Sequence, residues 1–204
     1  MKLFLATNNK HKIHEIKEML PKWEIVTPKD FNDTDDPEET GVTFEENAYI
    51  KAKYFYDKYH LPTIADDSGI VVDALGGMPG VYSARYANLG IANCNSSDEA
   101  NRVKLFKELE EVNKKNNDNN RSAHFACAIA FIDEDGKAYS FVGKTFGEIT
   151  YEEIGENGFG YDCMFLSHDL NKPFGIASEE EKASVSHRGR DIRKFKEEID
   201  KKYN

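Results

Sequence analysis

Hydrophobic and polar positions along this chain follow two periods, and their alternation predicts an α/β protein. Residues 2–6 form a short apolar run that reads as a buried strand, followed by the polar loop Thr7-Asn8-Asn9-Lys10. Ile13, Ile16, Met19 and Leu20 then recur at helical spacing until Pro21 stops the helix. Residues 24–27 predict a second strand. Thr43-Phe44-Glu45-Glu46 has the form of a capping box, and the helix behind it carries Phe44, Ala48, Ala52, Phe55 and Tyr59 as an apolar stripe. Asn47 and Lys51 flank that stripe at the rim of the core. A third helix follows Ser96-Ser97-Asp98-Glu99, with Val103, Leu105, Phe106, Leu109 and Val112 apolar. Residues 123–132 are apolar on both parities, which predicts a central strand covered on both faces, and one parity is small (Ala126, Ala128, Ala130). A hairpin turn over 133–136 leads to a strand at 138–142, and Gly143 separates it from another at 146–150. Residues 163–166 read as a short strand. Ser178 to Glu181 form another capping box, opening a short helix that carries Lys182. The last helix repeats Ile192, Phe195, Ile199 and Tyr203. Helices and strands interleave without strict βαβ alternation, so the expected sheet is mixed.

The stretch the pattern singles out is TIADDSGIVVDALGGMPGVYSARY, residues 63–86. Ile64-Ala65 ends in two acids, Asp66 and Asp67. Ser68-Gly69 is expected to turn the chain into a second apolar run, and Gly76, Gly77, Pro79 and Gly80 hold a backbone-rich turn. On an extended strand the two acids face opposite sides. Asp67, next to the expected turn, is the better candidate for a site, and Asp66 for support. A second glycine loop, Glu156-Asn157-Gly158-Phe159-Gly160-Tyr161-Asp162, is able to display the Phe159 ring. The acidic run at 31–40 reads by itself as a solvated loop. The asparagine-rich segment 113–120 reads as a low-complexity, mobile surface insertion on a single domain of 204 residues.

Charge narrows the chemistry. A net charge of −10 argues against non-specific nucleic-acid binding, without excluding a local basic site for a small polyanion. Three cysteines with no CxxC spacing form neither a disulfide framework nor a zinc site. The N-terminal apolar run is too short for a signal-peptide core and no apolar stretch reaches membrane-spanning length, so the reducing cytoplasm is the expected location and no membrane partner is expected. Carboxylates at a strand end suggest a hard cation such as Mg²⁺. Lysines near helix N-termini suggest phosphate, because free N–H groups and the helix dipole favour anions there. An exposed aromatic suggests a stacked base. No GxxxxGK[ST] is present, so any nucleotide site is not a Walker-type loop.

Five stretches, in order, carry a resemblance: ATNNKHKIHEI, EETGVTFEENAYIKA, IADDSGIVVDALGGMPGVYSARYA, GFGYDCMF and EEKASVSHRGR. Together they resemble the inosine triphosphate pyrophosphatase family. The resemblance implies a long, twisted mixed sheet with flanking helices, two lobes around a central nucleotide cleft, and a homodimer. It implies Mg²⁺-dependent hydrolysis of ITP, dITP and XTP between the α- and β-phosphates. By position, Thr7, Asn8, Asn9, Lys10, His11 and Lys12 would cradle the phosphates. Glu38 and Asp67 would hold Mg²⁺, and Asp67 would accept the proton of the attacking water. Lys51, Ser68 and Lys182 would contact phosphates. Phe159 would stack on the base, with Gly160, Tyr161, Asp162, His187 and Arg188 around it. Which of Glu38 and Glu39 reaches the metal stays open. Cys163 stands where proline is usual in the family. Two other readings are a pyrophosphatase of related fold acting on pyrimidine nucleotides, which His187-Arg188 and Phe159-Gly160-Tyr161-Asp162 speak against, and a silent nucleotide sensor, which would require a lost acid or lysine.

Overall fold

A computed structural model describes residues 2–92 and 94–203; the Tyr203 side chain expected on the last stripe lies outside the described residues. The strands are β1 (Lys2–Leu5), β2 (Glu24–Val26), β3 (Thr63–Val72), β4 (Ser122–Ile132), β5 (Ala138–Ile149), β6 (Phe165–Ser167) and β7 (Lys172–Pro173). Among the described residues they form one sheet in the order β2-β1-β3-β4-β5-β6-β7. β1 runs parallel to β2 and β3, whereas β6 is antiparallel to both its neighbours, so the sheet is mixed. The helices are α1 (Lys10–Met19), α2 (Phe44–Tyr59), α3 (Asp98–Asn116), α4 (Glu179–Val185) and α5 (His187–Tyr203).

The chain divides into two compact units. The first holds Met1–Asp67, Cys127–Gly143 and Arg188–Asn204; the second holds Ser68–Ala126 and Lys144–His187. In the first, strand parity sorts the core into two clusters. Leu3, Leu5, Ile64, Cys127, Ile129 and Phe131 pack with Ile16 of α1 and with Ile192, Phe195 and Ile199 of α5. Phe4, Ala6, Ala65, Ala128, Ala130 and Ile132 pack with Ala48, Ala52 and Phe55 of α2. The small parity of β4 therefore meets the alanine-lined side of α2, as its composition suggested. The second unit buries Ile70, Val72, Leu105, Leu109, Phe125, Phe165 and Phe174 together.

Both predicted capping boxes form. Thr43 accepts from Glu46 N–H while the Glu46 carboxylate reaches back, and Ser178 and Glu181 do the same. Four expectations are corrected. Ser68-Gly69 does not turn the chain, because β3 continues through it to Val72. A Cβ on Gly69 would collide with Ser83 Oγ and the Gly80 carbonyl, so this glycine allows close approach instead. Gly143 does not divide β5, which runs unbroken from Ala138 to Ile149. The first four residues of the asparagine-rich segment continue α3, and Asn117 closes it in the left-handed conformation. Asn113 is buried, its amide donating to the Asn120 carbonyl at 3.1 Å. The acidic run is not simply solvated: Lys58 bridges Asp33 and Asp35 at 2.7 Å each, and the Tyr59 hydroxyl donates to Asp33.

Candidate active site

The first group of candidate residues belongs to the first unit and follows from strand parity. Leu5 pairs with Ile64, and Ala6 N–H donates to the Ile64 carbonyl at 2.8 Å; after Ala65, β3 continues with the two acids. Asp66 shares the parity of Ile64, and Asp67 that of Ala65. Asp66 meets Lys12 of α1, with Nζ 3.0 Å from Oδ2, and Arg188 of α5, whose Nε and Nη2 donate to the same oxygen at 3.3 and 3.2 Å. Arg188 also pairs with Glu15. The Asp66 side chain is fully shielded from solvent. Burial alone would raise its pKa, but Lys12, Arg188 and Lys51 overrule burial and hold the carboxyl well below the usual carboxylate range. Asp66 is thus an ionised tie between α1, β3 and α5.

Asp67 points to the α2 side. The Asn47 amide donates to Asp67 Oδ2 at 3.1 Å, and Asn47 Oδ1 accepts the Gly41 N–H at 2.8 Å. Asn47 is completely buried rather than at the rim, where the sequence suggested. It fixes both the acid and the loop before α2. Lys51, one turn on, donates to Glu39 at 2.7 Å. Burial would lower the Lys51 ammonium, yet the charges of Glu39, Asp67 and Asp66 push its pKa above the ordinary value, so it stays a cation. Burial pushes the Asp67 carboxyl up; Lys51 counters this, and the like charge of Glu39 adds to it. Of the two acids left open by sequence, Glu39 is the one seen reaching Lys51 and felt at Asp67, whereas Glu38 is exposed. Among the described residues no three His, Cys, Asp or Glu side chains converge as a preformed metal cage. Two hard carboxylates still fit Mg²⁺, which commonly takes one or two protein carboxylates and completes its shell with water and substrate phosphate. A dication would also relieve the Glu39–Asp67 repulsion.

The loop at 7–12 is built as a helix start. Thr7 Oγ1 accepts Asn9 N–H at 3.2 Å, and Asn9 Oδ1 caps α1 by accepting His11 and Lys12 N–H groups at 3.0 and 3.4 Å. Asn8, Asn9, Lys10 and His11 are exposed.

The second group belongs to the second unit. Asp162 Oδ2 accepts the Phe159 N–H and the Lys182 ammonium, each at 2.8 Å. The Lys182 Nζ lies 4.9 Å from the Phe159 ring centroid. Lys182 therefore stands with the aromatic loop. Gly158 has φ +79°, and a Cβ there would collide with the Asp162 carboxylate, so the glycine makes room for that hub. Tyr161 is buried, its hydroxyl donating to the Ser83 carbonyl at 2.8 Å. His187 is buried, with its ring stacked on Phe125 at 4.9 Å. Ser68 is half-buried and belongs to this unit, next in sequence to Asp67.

The expected residues therefore gather in two groups: Lys12, Lys51, Asp67 and Arg188 in one, and Phe159, Gly160, Tyr161, Asp162, Lys182 and His187 in the other. Sequence reasoning missed Glu15 as the second partner of Arg188, although its i, i+3 spacing from Lys12 was a signal. It also missed the acceptor role of Asn47, which no local pattern announces.

The first unit thus presents carboxylates and lysines beside a helix start on a mixed α/β sheet, and the second presents a glycine-framed aromatic. Comparison with known proteins agrees. The chain belongs to the Ham1 family, whose family model matches residues 3–198. A Treponema denticola protein named dITP/XTP pyrophosphatase is 44% identical over 190 residues, covering 93% of this chain and 94% of that one. The solved Staphylococcus aureus Ham1 protein aligns with a TM-score of 0.86 and 38% identity, over 99% of this chain and all of that one. A Coxiella burnetii HAM1 protein aligns with a TM-score of 0.87 and 34% identity, over 98% and 99%.

Proposed function

We propose that this chain hydrolyses noncanonical purine nucleoside triphosphates, dITP, XTP and ITP, to the nucleoside monophosphate and pyrophosphate. The observation that carries the reading is the Asp67–Lys51–Glu39 set, in a chain 44% identical to a protein named for dITP/XTP pyrophosphatase activity. Asp67 accepts the proton of the water that attacks the α-phosphorus. A carboxyl pushed up by burial is a stronger base than an exposed one. Asn47 holds one of its oxygens in place. Lys51 remains charged and meets the negative oxygens that develop as pyrophosphate leaves. Asp67 with Glu39, or Glu38 of the same stretch, would hold Mg²⁺, which when bound neutralises phosphate oxygens and lowers the pKa of water.

The stretch Thr7 to Lys12 meets the remaining phosphate charge with the α1 N-terminus, Lys10 and Lys12, and Ser68 adds a hydroxyl. A phosphate that takes Lys12 competes with Asp66 for it. Phe159 stacks on the base. Donors near His187 and Arg188 match the 6-keto group of inosine and xanthosine and face adenine's amine with like polarity. Arg188 serves this from the backbone, because its guanidinium is held by Asp66 and Glu15. The working protein is a cytoplasmic homodimer.

The test is turnover of ITP, XTP and dITP against ATP, GTP, dTTP and UTP, with identification of the released anion. The reading expects pyrophosphate and a preference for the first three. Orthophosphate as first product, or a preference for ATP or a pyrimidine nucleotide, overturns it.

A further inference from the structure

The aromatic loop is gripped from outside by two residues of α3, Asp98 and Arg102. Gly160 follows Phe159. Its N–H donates to Asp98 Oδ2 at 2.8 Å, and its carbonyl accepts from Arg102 Nη1 at 2.9 Å. Asp98 and Arg102 are four residues apart in the first turns of α3, on one side of the helix. Both main-chain groups of a single residue are thus held by one helix. Arg102 is itself fixed: its Nε donates to Glu153 Oε1 at 2.9 Å. Glu153 raises the Arg102 pKa above its ordinary value, against the effect of burial.

Gly160 has φ +62°, and a Cβ there would meet nothing. The glycine is therefore required by backbone conformation, not by crowding, and that conformation serves the presentation of its N–H and C=O to α3. On the inner side, Asp162 holds the Phe159 N–H and Lys182, whose ammonium stands over the Phe159 ring. The ring is thus fixed by consecutive main-chain contacts, Phe159 N–H on Asp162 and Gly160 on α3.

We propose that Asp98 and Arg102 are positioning residues for base recognition: by holding Gly160 they set Phe159 before the nucleotide arrives. This rests on the reading of the site given above. The physical reason is preorganisation. An aromatic on an unheld loop must be ordered at the moment of binding, which weakens binding of the base without altering chemistry at the phosphates. Asp98 is exposed and Arg102 half-buried, and neither contributes to the apolar core. Their loss should act on the loop and not on folding as a whole.

The experiment measures kcat and KM for ITP and XTP with Asp98→Ala, Arg102→Ala and the conservative Asp98→Asn, which keeps a carbonyl acceptor for the Gly160 N–H. Alongside, the inhibition constant of inorganic triphosphate, which has phosphates but no base, is measured for each protein. Each alanine variant is expected to raise KM for ITP about tenfold, the worth of one hydrogen bond to a charged group. The same variants should leave kcat within about twofold and the triphosphate inhibition constant unmoved. Asp98→Asn should restore most of the loss. A merely structural role would move the base-containing and base-free ligands together, and that result overturns the proposal. A wild type that turns over purine triphosphates, with variants whose KM for ITP does not change, fails this role alone. A wild type that turns over none fails the reading of the site, and this role with it.

Discussion

At the scale of single residues, neighbouring acids have opposite fates because strand parity gives them different surroundings. Asp66 receives two cations on one oxygen and stays ionised, whereas Asp67 is raised by burial and by Glu39. Asp67→Asn keeps the shape and removes the base, so turnover of ITP should fall by at least about 100-fold while nucleotide binding is retained. Turnover at the wild-type rate would refute the role of Asp67. A third acid on the Asp66 side, Asp191, behaves differently again. It is fully buried beside the Cys127 thiol, and neither carboxylate oxygen has a hydrogen bond of ordinary geometry. Burial pushes its pKa up to about 7 from 3.8. The folded protein therefore holds a proton that the unfolded chain releases between these values. Stability attributable to Asp191 is undiminished below about pH 4 and is lost as pH rises towards 7. Asp191→Asn cannot ionise, so relative to wild type it should gain on the order of 2 to 4 kcal/mol between pH 4.5 and 7.5. Urea unfolding of both proteins at the two pH values measures the difference; a constant gap would show that Asp191 titrates normally.

At the scale of elements, β3 depends on a close approach that only glycine permits. Ser83 Oγ accepts the Ile70 N–H at 3.0 Å and donates to the Gly80 carbonyl at 2.6 Å, directly over Gly69. Gly69→Ala would drive a methyl group into both, which should destabilise the protein by about 2 kcal/mol or more and lower its Tm by roughly 5 °C. An unchanged Tm would mean that the 79–83 segment yields freely. This position also shows where the sequence is legible and where it is not. Caps are local, so α2 and α4 are readable at their first turns, and parity correctly sends Asp66 and Asp67 to different partners. Ser68-Gly69 carries the same composition as a turn. Its actual reason, a segment more than ten residues later, is invisible until the chain folds. Gly143 in β5 misleads in the same way. The Asn113 side chain looks like low complexity until its hydrogen bond to Asn120 is seen. The charged candidates could be named from sequence, whereas the hydrogen bonds of Asn47 to Asp67 and of Asp98 and Arg102 to Gly160 could not.

At the scale of the whole molecule, the proposed substrate is a polyanion and the chain carries a net charge of −10, so its local cations matter. One unit collects carboxylates with Lys12 and Lys51, and the other sets an aromatic ring under an ammonium. Within the first unit the visible charges nearly cancel: Lys12 and Arg188 against Asp66 and Glu15, and Lys51 against Glu39 and Asp67. The last three sum to one negative charge, since two carboxylates face one ammonium. A triphosphate entering such a set meets repulsion unless positive charge enters with it. On the proposed reading, a divalent cation would be part of substrate binding and not only of chemistry. Removing Mg²⁺ with a chelator should therefore abolish turnover and also weaken nucleotide binding, by roughly tenfold or more. With Asp67→Asn, one negative charge is gone, so the dependence of nucleotide binding on Mg²⁺ should become shallower while turnover stays lost. Equilibrium binding of ITP to both proteins, titrated with Mg²⁺, measures this. Equal dependence in the two proteins would mean that Asp67 does not share the metal, and would leave Glu38 or Glu39 to hold it without Asp67.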